Sequence, residues 1–179
     1  PLLVGRGAVF AETRSLGRAV LLLLDAFQPV GLVDLAIDRL GVLPMLGAIA
    51  GQFPGAAVPL LLRDGLKRLG PCVALGGVAR LDSAAADITL AYAGKKLQEK
   101  VLYGTLKVLP LDEGEMAQLT VKPAGKLDCG AGQGRKATYT VQGGPLGVVI
   151  DARGRPLSPS SLGEARLARL AAWRETLSA

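Results

Sequence analysis

The 179-residue sequence contains no histidine. That absence excludes Ser-His-Asp and Cys-His catalysis, imidazole general bases and every histidine-ligated metal site. Aromatic residues make up 4%, so stacking platforms for nucleic acid are nearly missing and a core has to be built from Leu, Val and Ala. Only two cysteines occur, Cys72 and Cys129. With no CxxC context they supply neither a disulfide framework nor a zinc site. Cys72 follows Pro71 in an apolar stretch and reads as a small core residue, whereas Cys129 lies in a glycine-rich loop and reads as the more exposed thiol. A secretory leader is not expected, since Arg6, Glu12 and Arg14 interrupt the opening segment. The cytoplasm is the expected compartment.

Half of the residues are apolar, which argues for a folded chain. The net charge of +6 comes from 21 basic and 15 acidic residues spread along the sequence. Dispersed charge reads as a solvated surface, and specific nucleic-acid binding is not expected. The longest charge-free run covers residues 40–62, between Arg39 and Arg63. Its length suits a membrane span, but Pro44, Pro54 and Pro59 and four glycines argue for two short helices joined at Gln52-Phe53-Pro54-Gly55. No membrane partner is expected from it.

The pattern along the chain predicts an α+β fold: a helical N-terminal segment, an antiparallel β-barrel or sandwich, and a C-terminal helix. Leu2-Leu3-Val4 reads as a strand buried on both faces and ended by Gly5-Arg6-Gly7. No second parallel-strand pattern is evident before residue 70, so its neighbours are expected outside this sequence, as in a fragment of a larger protein. Leu16 to Phe27 forms an apolar helix ended by Gln28-Pro29, and Leu32, Leu35, Ala36 and Leu40 recur at helical spacing. Two short helices follow at 44–50 and 54–62, with a last turn at 66–69. Gly70-Pro71 marks the expected boundary between a helical segment, 1–70, and a β-domain, 71–157. Seven short strands are predicted at 72–79, 87–93, 98–103, 105–111, 115–122, 137–142 and 146–151. Residues 158–179 complete the chain as a docking segment, with an amphipathic helix over 163–177 whose Trp173 fastens the tail to the β-domain.

Candidate chemistry is sparse. In the run from Asp128 to Lys136, alternate glycines at Gly130, Gly132 and Gly134 permit positive φ and inward-turned N–H groups, a possible nest for an anion with Arg135 and Lys136 adding charge. The same run also reads as a wide loop that merely needs glycine. It is not a dinucleotide fingerprint, because its spacing is G-x-G-x-G and a strand follows it. Asp151 and Arg153 read as a local ion pair closing a turn at Gly154. Asp112, Glu113 and Glu115 around Gly114 read as a wet hairpin tip. An enzyme working alone would need carboxylate, lysine or cysteine chemistry, and no convincing paired constellation appears. A small-ligand or anion-binding β-barrel is the alternative to an interaction module.

One motif series points further. Gly5-Arg6-Gly7-Ala8-Val9-Phe10, Leu24-Asp25-Ala26-Phe27-Gln28-Pro29-Val30-Gly31, Leu35-x-x-Asp38-Arg39-Leu40, Leu46-Gly47-Ala48, Gly130-x-Gly132-x-Gly134 and the run from Leu146 to Leu157 occur in order. Together they resemble the carboxy-terminal part of glutamate mutase L (MutL) proteins, relatives of actin/Hsp70-type ATPases encoded beside adenosylcobalamin-dependent mutases. The resemblance implies a non-catalytic C-terminal module, separated from the N-terminal ATPase lobes that would carry the catalytic phosphate loops, with such a mutase as partner. It implies ATP for the full-length protein and no cofactor in this chain. It places a nucleotide-contacting turn on Gly5, Gly7 and Ala8, although Arg6 and Ala8 stand where a small hydroxyl residue and a glycine are expected.

Overall fold

The structure, a computed structural model, describes residues 1–13, 15–157 and 164–178. The Leu-rich segment after Ser15 becomes helical because its start is capped: the Ser15 hydroxyl accepts a hydrogen bond from the Arg18 amide at 3.3 Å. The helix ends where Gln28 takes a left-handed conformation before Pro29. This helix, α2 (Leu16–Phe27), follows β1 (Leu2–Arg6) and a single turn α1 (Ala8–Ala11), and leads into β2 (Gly31–Asp38). Two short helices, α3 (Leu43–Ala50) and α4 (Pro54–Leu60), and a π-helical turn at Leu61–Gly65 precede β3 (Lys67–Ala74). Then come β4 (Ala84–Tyr92), β5 (Lys95–Leu102), β6 (Leu106–Leu109), β7 (Met116–Pro123), β8 (Ala137–Gln142), β9 (Val148–Asp151) and α5 (Glu164–Thr176). The α+β expectation and the C-terminal helix hold. Residues 158–163 of the expected docking segment lie outside the described residues.

Two sheets result. One has the order β1-β2-β3-β9-β6 and is mixed, β1 running parallel to β2, β2 antiparallel to β3, and β3 parallel to β9. The other is antiparallel, in the order β5-β4-β7-β8. Their inner faces share one core: Val73, Leu109, Val148 and Ile150 from the first meet Ile88, Leu90, Leu119 and Val121 from the second. The opposite face of the mixed sheet buries Val33, Leu35, Ile37, Cys72 and Val149 against Val20, Leu23 and Leu24 of α2 and Leu177 beyond α5. The architecture is helix layer, mixed sheet, antiparallel sheet. The sheets do not close into a barrel, so the sandwich alternative holds and the barrel is corrected; β5 and β8 remain separate edges.

Five further expectations are corrected. Residues 31–38 are strand, not helix. Val33, Leu35 and Ile37 alternate with period two, and burial on both faces of a central strand outweighs the helical spacing of Leu32, Leu35 and Ala36. This strand is the neighbour that β1 was expected to find elsewhere, with Leu2 opposite Asp34 and Arg6 opposite Asp38. The expected last helical turn at 66–69 and the boundary at Gly70-Pro71 both fall on β3, where Pro71 sits opposite Asp34 beside a bulge. Cys129 is fully buried, with its thiol 3.4 Å from the Arg135 carbonyl, because the glycine loop folds it inward. Trp173 does fasten the tail: its indole N–H donates to the Gly104 carbonyl at 3.0 Å.

Candidate functional site

The turn after β1 was assigned a nucleotide contact by resemblance. An added Cβ on Gly5 would lie 2.8 Å from the Phe10 ring, so the strand is roofed by that side chain. Gly7 has φ +111 and open space around it, and its carbonyl accepts from Phe10 and Ala11 at 3.0 Å. Ala8 is exposed, but α1 is only four residues long and has no developed N-terminus. Arg6 turns towards the buried Asp38, 3.8 Å away. That carboxylate accepts the Val42 and Leu43 amides at 2.9 and 3.0 Å and so caps α3. The turn is thus crowded by Phe10 at Gly5 and open at Gly7 and Ala8.

The glycine loop adopts the inward-turned geometry, but its own carboxylate occupies it. Gly130 and Gly132 have φ +98 and +103, and both donate to Asp128 Oδ1, at 2.7 and 2.9 Å. The Gly134 amide donates to Leu127 O at 2.8 Å, and the Arg135 amide to Gly132 O at 3.1 Å. Arg135 and Lys136 are exposed at its rim. The Tyr139 hydroxyl donates to the Cys129 carbonyl. Burial raises the Tyr139 hydroxyl to about 12 and also raises the Cys129 thiol. Asp128→Ala is expected to remove about 1–2 kcal/mol, measured by urea denaturation. Added phosphate should then raise the melting temperature of the variant and leave the parent unchanged.

The third cluster has the most developed geometry, and only part of it was legible. Asp151 and Arg153 do pair, at 2.8 Å, but deep in the molecule, with side chains 0% and 2% exposed. Arg153 places Nε on Asp151 Oδ1 at 3.0 Å, Nη2 on Oδ2, and Nη1 on Asp25 of α2 at 2.7 Å. Arg155 donates to the same Asp151 Oδ2 at 2.6 Å and to the Gly154 carbonyl at 2.7 Å, leaving its Nε without a partner among the described residues. The Trp173 ring covers the Arg153 guanidinium, with centroid and Cζ 4.9 Å apart. Burial alone would raise the Asp151 carboxyl, but the hydrogen bonds and charges of Arg153 and Arg155 outweigh it and hold it below the ordinary carboxylate range. The nearby Cys72 thiol is pushed far up, chiefly by burial and then by the charge of Asp151, so it stays protonated at neutral pH. Two acids and two bases cancel, and the cluster ties α2, β9 and α5 together.

Asp25, 128 residues from Arg153 in sequence, was missed as a member. The available signal was two arginines at i+2 and i+4 after a carboxylate ending an otherwise apolar strand. At the 112–115 tip, Gly114 is exposed with φ +86, and no metal-holding group of His, Cys, Asp and Glu occurs among the described residues. Comparison of the chain with protein-family models, curated proteins and solved structures finds no match.

Proposed function

We propose that this chain is a non-catalytic module of a MutL-like, ATPase-related protein. On this reading it docks an adenosylcobalamin-dependent mutase through the outward face of its antiparallel sheet, in the cytoplasm. The partner class rests on the motif series. The observation carrying the reading is the face itself. Lys100, Asp87 and Lys122 form one cross-strand row, and Gln98, Thr89, Thr120 and Thr138 a second; Lys96, Ala91, Gln118 and Thr140 form a third. Neighbours are already linked, Gln118 to Thr140 at 2.9 Å and Thr120 to Thr138 at 3.0 Å. Short side chains held on a sheet lose little freedom on docking, and lysines around them steer an acidic surface into register.

The test is a pull-down of the purified chain against an adenosylcobalamin-dependent mutase. Salt-sensitive association is expected, and Lys96→Glu, Lys100→Glu and Lys122→Glu combined should weaken it by about tenfold or more. No association at micromolar protein, or a triple variant that binds like the parent, sinks the proposal.

A further inference from the structure

The segment leaving the end of β2 is the most apolar surface of the described molecule. Between Arg39 and Arg63 the only polar side chain is Gln52. Leu40, Met45 and Phe53 are 77%, 68% and 61% exposed, and Ile49, Val58, Leu60 and Leu62 are exposed as well. Leu46 and Ala57 alone in this stretch are buried. The antiparallel face discussed above lies on other elements and plays no part here.

Two observations say what covers this surface. The first is its polar inventory. Protein–protein interfaces carry about one hydrogen bond per 100–200 Å², and a patch offering one glutamine side chain cannot meet that demand. Hydrocarbon makes no such demand, provided that the backbone arrives satisfied. Here much of it is engaged: Asp38 takes the Val42 and Leu43 amides before α3, Leu46 N donates to Val42 O at 2.9 Å, and Phe53 N donates to Ile49 O at 2.9 Å. Pro54 opens α4 and has no N–H to satisfy. The second observation is the collar. Arg39 stands where the hairpin leaves the sheet, and Arg63 and Lys67 where it returns, with Ile37 and Lys67 opposite each other in the ladder. Arg63 is paired with Asp64 at 2.7 Å, while Arg39 and Lys67 are exposed without an ion-pair partner among the described residues.

We infer that α3–α4 inserts into one leaflet of an anionic lipid bilayer, with Phe53 near its tip and the Arg39–Lys67 collar at the headgroups. This is surface insertion rather than crossing: no helix among the described residues is long and apolar enough to span a membrane. Long cationic side chains keep their charge among phosphates while their stems lie along the apolar boundary.

Sedimentation of the full chain with vesicles tests it, using phosphatidylcholine alone or mixed with phosphatidylserine. Binding is expected to the mixed vesicles and to weaken in salt. Met45→Asp with Phe53→Asp should lower it by about tenfold or more; both sites are exposed, so the circular dichroism should not change. Arg39→Glu with Lys67→Glu should lower binding to the mixed vesicles. Phe53→Trp should show blue-shifted emission and quenching by brominated acyl chains. Failure of the parent to sediment, equal binding to both vesicle types, or an unshifted Phe53→Trp emission overturns the inference. So does self-association through Met45 and Phe53 without vesicle binding.

Discussion

Replacing Asp151 by alanine should cost about 3–5 kcal/mol, because it leaves the buried Arg155 with no carboxylate partner and Arg153 with only the half-exposed Asp25. Domains of this size hold about 5–15 kcal/mol in total, so the variant should melt far earlier, or fail to accumulate folded, as followed by urea titration. Asp25→Ala is the matched comparison. Its side chain is 49% exposed, and a half-solvated partner contributes only about 1 kcal/mol or less. The pH dependence has a defined sign. The folded Asp151 carboxyl lies below its unfolded value of about 3.9. Its contribution is therefore complete above that value and is lost as pH falls from there through the lower folded value. The stability gap between the parent and Asp151→Asn should stay constant from neutral pH into the mildly acidic range and shrink only below it. A gap that already shrinks near neutral pH would contradict the assignment.

Gly144→Ala should cost about 3 kcal/mol, the upper end of overpacking. An added Cβ would fall on the Gly70 Cα, with Gly70 N and Leu69 O each 2.6 Å away. All three are backbone atoms of β3, and Gly70 itself sits at φ +117, so no flexible side chain is available to move aside. Gly47→Ala, where an added Cβ meets nothing, should instead be neutral or gain up to about 1 kcal/mol from helix propensity. Thermal melts of the two alanine variants separate close backbone approach from a general preference for glycine. Equal melting temperatures would remove the packing argument.

Local signals in the sequence were strong where one rule acted alone. The helix from Leu16 to Phe27 was legible because its apolar run and the Gln28-Pro29 stop agree; the Ser15 cap came only from the structure. The strand at 137–142 was legible because Thr138 and Thr140 alternate with Tyr139 and Val141. Residues 31–38 were misread because a strand buried on both faces shows a nearly continuous apolar run, on which a helical spacing also fits. Cys129 was misplaced because a glycine loop was taken as outward-facing, whereas its carboxylate at Asp128 closes it from within. The Asp151–Arg153 pair was legible at two residues' separation, but nothing local joins it to Asp25 or to the Trp173 ring.

The meeting of β3 with β9, Cys72 opposite Val149, has a consequence for how the protein is born. The chain leaves the mixed sheet after residue 74 and builds the antiparallel sheet; β6, the far edge of the mixed sheet, pairs only with β9, so the seam cannot close before residue 148. A ribosome delivering it in order therefore exposes an apolar strand margin from residue 74 to residue 148 of the 179, with nothing yet available to seal it. Closing so distant a seam is slow compared with helix formation. Recovery from a producing cell should depend more on chaperone supply and growth temperature than on the melting point of the finished molecule.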